Sequence, residues 1–231
     1  MPSIYKNVFI TGDLHLGDGI FLFEKRLVEI LKSNDFDCVI FGGDTFDQWR
    51  CRNIEKLIGR YHFLFDALRD LKAPVVFVRG NHDRQIDYLK NFNFEICDSF
   101  QYLSSTGKNI KVIHGHQFDG FTKHLEFLWK KVIYVEEQIN RFLRLINSRK
   151  TLRLTQKTWA FNVFRAVRNF YEKINSFKNV DTLVFGHLHV PWEGAEKEID
   201  FYNWGGWQRD FGLPPQYIQN VGAEFKLCEV K

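Results

Sequence analysis

Two hydrophobic rhythms alternate along the first eighty residues. The short runs "NVFIT" (7–11), "DCVIFGG" (37–43) and "PVVFVRG" (74–80) carry apolar side chains at consecutive positions, as strands buried on both faces do. Between them, near 20–33 and 53–71, apolar residues recur at helical spacing. The alternation predicts βαβαβ. Later runs at 94–103, "NIKVIHG" (109–115), "TLVFGH" (182–187) and the short runs from 199 to 230 predict more strands, the last of them antiparallel in character. Two packed sheets flanked by helices accommodate the whole set, which makes the fold α/β.

From 121 to 178 the rhythm changes to long helices, with Leu125, Leu128, Trp129, Val132 and Ile133, then Trp159, Val163, Val167, Phe170 and Ile174, at helical spacing. This stretch reads as an insertion between strands. No repeat, low-complexity tract or linker sets it apart, so one domain over 1–231 with a helical insert is expected. A length of 231 residues and 45% apolar content suit that expectation. No apolar run reaches about 18 residues, and the start has no basic segment leading into a long apolar one. A cytoplasmic protein is expected. Cys38, Cys51, Cys97 and Cys228 are scattered without a CxxC, and are expected to be reduced structural thiols.

Charge changes the picture of the insert. The chain is +4 overall, but residues 121–178 hold 13 Lys and Arg against 4 Asp and Glu, and 11 of these residues are aromatic. Lys130, Lys131, Arg141, Arg144, Arg149, Lys150, Arg153, Arg165 and Arg168 could simply be a solvated face. Basic charge beside aromatic residues also suits an anionic amphiphile or an anionic membrane surface, with nucleic acid as the competing partner.

Candidate chemistry sits where the predicted strands end. Five Gly-bearing motifs occur there: "GDLH" (12–15), "GDTFD" (43–47), "GNHD" (80–83), "HGH" (114–116) and "GHLH" (186–189). Six of the eight histidines lie inside them. Carboxylate with neutral imidazole suits Mn, Fe or Zn rather than Mg or Ca. In a strand, side chains two apart share a face, so Asp13 with His15, and His187 with His189, are expected to grip one ion each. Ligands from the carboxyl ends of successive strands converge on the usual crevice of α/β sheets.

Taken together and in order, the motifs over 12–189 resemble those of the calcineurin-like metallophosphoesterase superfamily. The resemblance implies two divalent metal ions, Mn before Fe or Zn, and phosphoester hydrolysis. It places Asp13, His15 and His189 on the first ion, Asn81, His114 and His187 on the second, and Asp44 between both. Asp47 is expected behind the metals as a hydrogen-bond acceptor. His82, held by Asp83, is expected to protonate the leaving oxygen or contact the phosphate. Arg84 is either a phosphate contact beside Asn81 or a surface residue. His116 is either active-site wall or core, and Asp119 shares that ambiguity.

A narrower resemblance is to UDP-2,3-diacylglucosamine pyrophosphohydrolases of lipid A synthesis. It rests on Phe46 and Trp49 in "GDTFDQW", the helical lid before the fifth motif, and the late "NWGGW" (203–207). That implies an amphiphilic nucleotide-sugar lipid substrate, cleaved to UMP and 2,3-diacylglucosamine 1-phosphate, with acyl chains along the insert and peripheral membrane contact. Two departures stand against it: Gly206 replaces an expected Asp, and "GNHD" replaces Asn-Arg-Asp. His82 suits a substrate whose leaving oxygen needs a proton, so a metal-dependent phosphodiesterase or nuclease is the alternative.

Overall fold

The buried runs pair into two six-stranded sheets. In chain order the strands are β1 (Ile4–Tyr5), β2 (Asn7–Thr11), β3 (Cys38–Phe41), β4 (Val75–Val78), β5 (Glu95–Cys97) and β6 (Phe100–Ser104). They continue as β7 (Asn109–Val112), β8 (Thr182–Phe185), β9 (Pro191–Glu196), β10 (Ile199–Trp204), β11 (Gln216–Val221) and β12 (Glu224–Glu229). One sheet runs β12-β11-β2-β3-β4-β5 and the other β1-β6-β7-β8-β10-β9. This computed structural model describes residues 2–17, 21–118, 166–207 and 213–230.

Within the first sheet β2, β3, β4 and β5 are parallel, with Val8 opposite Cys38 and Val39 opposite Val75. In the second, β7, β8 and β10 form a second parallel trio. Alternating side chains of the first sheet explain why its strands read as unbroken apolar runs. Val8, Ile10, Ile40 and Val76 face inward against Tyr102, Ile110, Val112 and Val184 of the second sheet. Phe9, Val39, Phe41 and Phe77 face outward against the helices α1 (Glu24–Ser33), α2 (Ile54–Arg60) and α3 (His62–Arg69). Each fully buried side chain of this size contributes about 1.5–3 kcal/mol, so the strand ends are a stiff platform.

Two local departures have physical causes. The helix expected over 53–71 is two helices, because Tyr61 leaves helical geometry at φ −103° and ψ 36°. Its buried ring sends its hydroxyl to the Gly17 carbonyl at 2.9 Å, a tertiary bond that overrides helix continuity. The strand β9, "PWEGAE", was not expected at all, because an edge strand needs apolar residues on neither open face. It begins at a proline and, among the described residues, pairs only with β10.

The chain divides into two compact units, Met1–Gly115 with Phe177–Lys231, and His116–Ser176. Both sheets lie in the first. Residues 121–165 of the expected insert lie outside the described residues. In the second unit, residues 166–173 are helical, Phe118 meets Phe170 edge-on at 5.1 Å, and Asn169 Nδ2 donates to the Phe118 carbonyl at 2.8 Å. Among the described residues no helix is long and apolar enough to cross a membrane.

Candidate metal centre

The parallel strands β2, β3 and β4 of one sheet and β7, β8 and β10 of the other end at one rim. Asp13 and His15 follow β2, Asp44 and Asp47 follow β3, and Asn81, His82 and Asp83 follow β4. From the other sheet, His114 follows β7, while His187 and His189 follow β8. Strand alternation is not what brings Asp13 to His15, since both lie beyond the strand and both are left-handed, at φ 51° and 47°. Asp44, His187 and His189 are left-handed too, at 47°, 71° and 57°. Five of the seven expected ligands therefore sit in a conformation that costs L-residues about 1–2 kcal/mol each, and that the surrounding sandwich imposes.

The side chains converge on a buried cluster. Asp13 Oδ1 lies 3.2 Å from His189 Nε2, 3.4 Å from His114 Nε2 and 3.7 Å from His15 Nε2. Asp44 Oδ2 lies 3.4 Å from His114 Nε2 and 3.7 Å from His15 Nε2. Three triplets, Asp13–His15–His189, Asp44–His114–His187 and His15–Asp44–His82, each have ligand atoms within 4.8 Å of one another. Close backbone approach makes this possible. A Cβ on Gly80 would lie 2.1 Å from the Asp44 nitrogen and from its Oδ1, and Gly43, at φ 116°, faces the His114 ring in the same way.

The electrostatics fit a cation. Burial raises the Asp44 carboxyl well above its ordinary range, and the neighbouring Asp83 and Asp13 carboxylates push it further. Burial would raise Asp13 as well, but His189, His114 and His15 around it hold it well below. Burial lowers His15, which favours a neutral ring with a free lone pair. Asn81 Oδ1 is buried without a hydrogen-bond partner. Crowded carboxylates, neutral imidazoles and an orphaned amide oxygen are a donor set suited to divalent metal ions.

The structure reassigns the residue that holds His82. It is Asp47 rather than Asp83: His82 Nδ1 lies 3.1 Å from Asp47 Oδ1, and Arg50 Nε reaches the other oxygen at 3.3 Å. Against burial, which raises it, His82 and Arg50 hold the Asp47 carboxyl well below its usual range. Asp83 faces backbone instead, accepting N–H bonds from Phe46 at 2.8 Å, Gly80 at 3.0 Å and Thr45 at 3.3 Å. It clamps the Asp44 loop to the Asn81 loop, and burial raises it to about 6. Burial also lowers His82 to about 4 despite its bond to Asp47. The Arg84 side chain is exposed. His116 is half-buried in the second unit, and Asp119 lies outside the described residues.

Two residues of this rim escaped sequence reasoning. Trp49 stacks on His82 with ring centroids 3.8 Å apart and 14° between planes, and its Nε1 donates to the Asn81 carbonyl at 2.9 Å. Trp204 contacts Asp13. Both lie in quoted stretches, "GDTFDQW" and "NWGGW", but an aromatic beside a motif carries no signal of which polar atom its N–H meets.

Residues 6–191 match the model of one protein family, described as calcineurin-like phosphoesterase. The chain belongs to the calcineurin-like phosphoesterases. It is a metal-dependent phosphoester hydrolase. Among solved structures it is similar to YfcE, a phosphoesterase from E. coli, at 17% identity and a TM-score of 0.54, covering 97% of this chain and 100% of that one. An archaeal phosphodiesterase is similar at 14% identity and a TM-score of 0.55, covering 96% and 99%. Vps29 from Entamoeba histolytica, complexed with Zn2+, is similar at 13% identity and a TM-score of 0.50, covering 97% and 99%. At such identities the likeness is one of fold. No curated protein sequence matches the chain.

Proposed function

We propose that this phosphoesterase hydrolyses phosphodiesters with two bound cations, Mn first among the candidates. Asp13, His15 and His189 would hold one, and Asn81, His114 and His187 the other, with Asp44 shared. One observation carries the reading: Asp44 Oδ2 is within reach of His15 and of His114, one member of each set. When bound, such a pair polarises a phosphoryl oxygen and acidifies a water.

The protein's own groups supply the rest. Asp47 and Trp49 fix the His82 ring from its Nδ1 edge and from its face, which turns Nε2 toward the centre, 3.9 Å from Asp44 Oδ2. With the ring neutral and its proton shared toward Asp47, Nε2 is the atom that takes up a proton and hands it to the leaving oxygen. An alkoxide leaving group gains most from such a residue.

A second reading is the lipid A pyrophosphohydrolase, and the basic, aromatic-rich composition of 121–178 favours it. The motif aromatics lend it less. Phe46 is fully buried and stacked on Phe65, Trp49 is occupied by His82, and Trp207 is buried with its Nε1 bonded to Thr11 Oγ1 at 2.7 Å. Packing accounts for all three.

The test is a substrate panel with Mn-loaded protein: bis-p-nitrophenyl phosphate, cyclic nucleotides, DNA, RNA and UDP-2,3-diacylglucosamine. Turnover of simple diesters is the expected result. UMP release from the acylated UDP-sugar alone would move the assignment to the second reading, which also requires binding to anionic vesicles. No turnover of any of them would sink both.

A further inference from the structure

The stretch "NWGGW" at the end of β10 supplies none of the proposed ligands, yet it is hydrogen-bonded to two of the loops that do and packed against a third. Trp204 is fully buried. Its indole fills a slot lined by Gly12, Gly42 and Gly186, where an added Cβ would come within 2.7, 2.2 and 2.2 Å of the ring. These glycines lead directly into Asp13, into Gly43–Asp44 and into His187. The indole is thus wedged beneath three metal-bearing loops from both sheets.

Its one polar atom is aimed at a ligand. Trp204 Nε1 donates to Asp13 Oδ2 at 2.8 Å, and the His187 backbone N–H donates to the same oxygen at 2.9 Å. The other oxygen, Oδ1, is the one facing His15, His114 and His189. The flanking residues brace this contact. Asn203 Nδ2 donates to the Gly186 carbonyl at 3.1 Å, its Oδ1 accepts from the Gly205 N–H at 2.9 Å, and the Trp207 backbone N–H donates to the Asp13 carbonyl at 3.3 Å.

We propose that Trp204 is a positioning residue that restricts Asp13 to ligation through Oδ1 and thereby sets the affinity of the first metal position. Two N–H donors occupy Oδ2, so the carboxylate cannot rotate to offer both oxygens. Without the indole N–H, Oδ2 keeps a single backbone donor, and the buried carboxylate is free to swing toward any cation. Hydrogen bonds that orient a ligand typically control metal affinity by about 10- to 100-fold. The inference rests on Asp13 being a ligand, as proposed above.

The experiment is Mn binding by equilibrium dialysis, read beside thermal unfolding. Trp204→Phe keeps a buried ring and removes the N–H. The expected result is one Mn still bound as in the parent and the other about 10- to 100-fold weaker, with turnover recovered at raised Mn. Tyr102→Phe is the control. It removes a buried hydroxyl bonded to Asn220 Oδ1 at 3.0 Å in the same apolar layer, and it should lower the melting temperature without weakening either ion. Should Trp204→Phe not fold, 3-(3-benzothienyl)alanine at position 204 keeps the bicyclic shape and replaces only the N–H.

Two tight ions in either position-204 variant overturn the inference, as does weakening no greater than in Tyr102→Phe. Asp13→Asn separates the two levels. If it leaves Mn binding unchanged, the ligand assignment itself fails. If it weakens binding while both position-204 variants do not, only the role of Trp204 fails.

Discussion

The two sheets bring different chemistry to the same rim. Loops after β2, β3 and β4 deliver four buried carboxylates, Asp13, Asp44, Asp47 and Asp83, whereas loops after β7 and β8 deliver the imidazoles of His114, His187 and His189. One half concentrates negative charge in a place where burial alone opposes it. The other half supplies imidazole donors and, from β10, an indole N–H. The first sheet alone supplies one close triplet, His15–Asp44–His82, while the other two triplets draw on both sheets. The full cluster is a property of the sandwich, because the packing of one sheet on the other sets Asp13 opposite His189 and Asp44 opposite His114 and His187.

That division predicts unequal losses. Asp44→Asn removes the oxygen that reaches both sets and should cost several kcal/mol of transition-state stabilisation, on the order of 1,000-fold in kcat on a chromogenic diester. His187→Asn, on the imidazole side, should cost less and be partly rescued by excess Mn, since it touches one set only. Equal, unrescued losses would erase the distinction between the halves. His82→Ala should slow an alkyl diester by about 100-fold or more while slowing a nitrophenyl diester far less, because only the first needs a proton on its leaving oxygen.

Within the carboxylate half, Asp47 and Asp83 should part company. Asp83→Ala strands three backbone N–H groups and should cost about 1–3 kcal/mol of stability, read as a lower denaturant midpoint. Asp47→Asn should leave stability nearly intact and lower kcat by about tenfold, since it frees the His82 ring. The last expected effect is on the whole fold. Mn at about 100 times its dissociation constant should stabilise the protein by about 2.7 kcal/mol, and a chelator should reverse the gain in melting temperature. No change with metal would mean that the crowded carboxylates need no cation.

The strands were legible because β2, β3 and β4 are apolar on both faces, and the site was legible because its residues crowd the ends of those runs. What escaped was set by distant partners. Tyr61 breaks a helix to reach Gly17, 44 positions away, and no local periodicity records that. The family resemblance paired His82 with Asp83, its neighbour in sequence. In space the backbone of 45, 46 and 80 claims Asp83, and the ring turns to Asp47, 35 positions away. The left-handed backbone at Asp13 and His15 was hidden for another reason, since nothing in Asp-x-His distinguishes a strand end from the turn just past it.

The bond from Trp204 to Asp13 joins positions 191 residues apart. During translation, residue 13 leaves the ribosome long before residue 204, so the carboxylate half waits, incomplete, for most of synthesis. The contact that orients Asp13 therefore belongs to the finished polypeptide rather than to the growing one. A message cut short anywhere before the tenth strand yields a fragment that lacks the indole donor to Asp13.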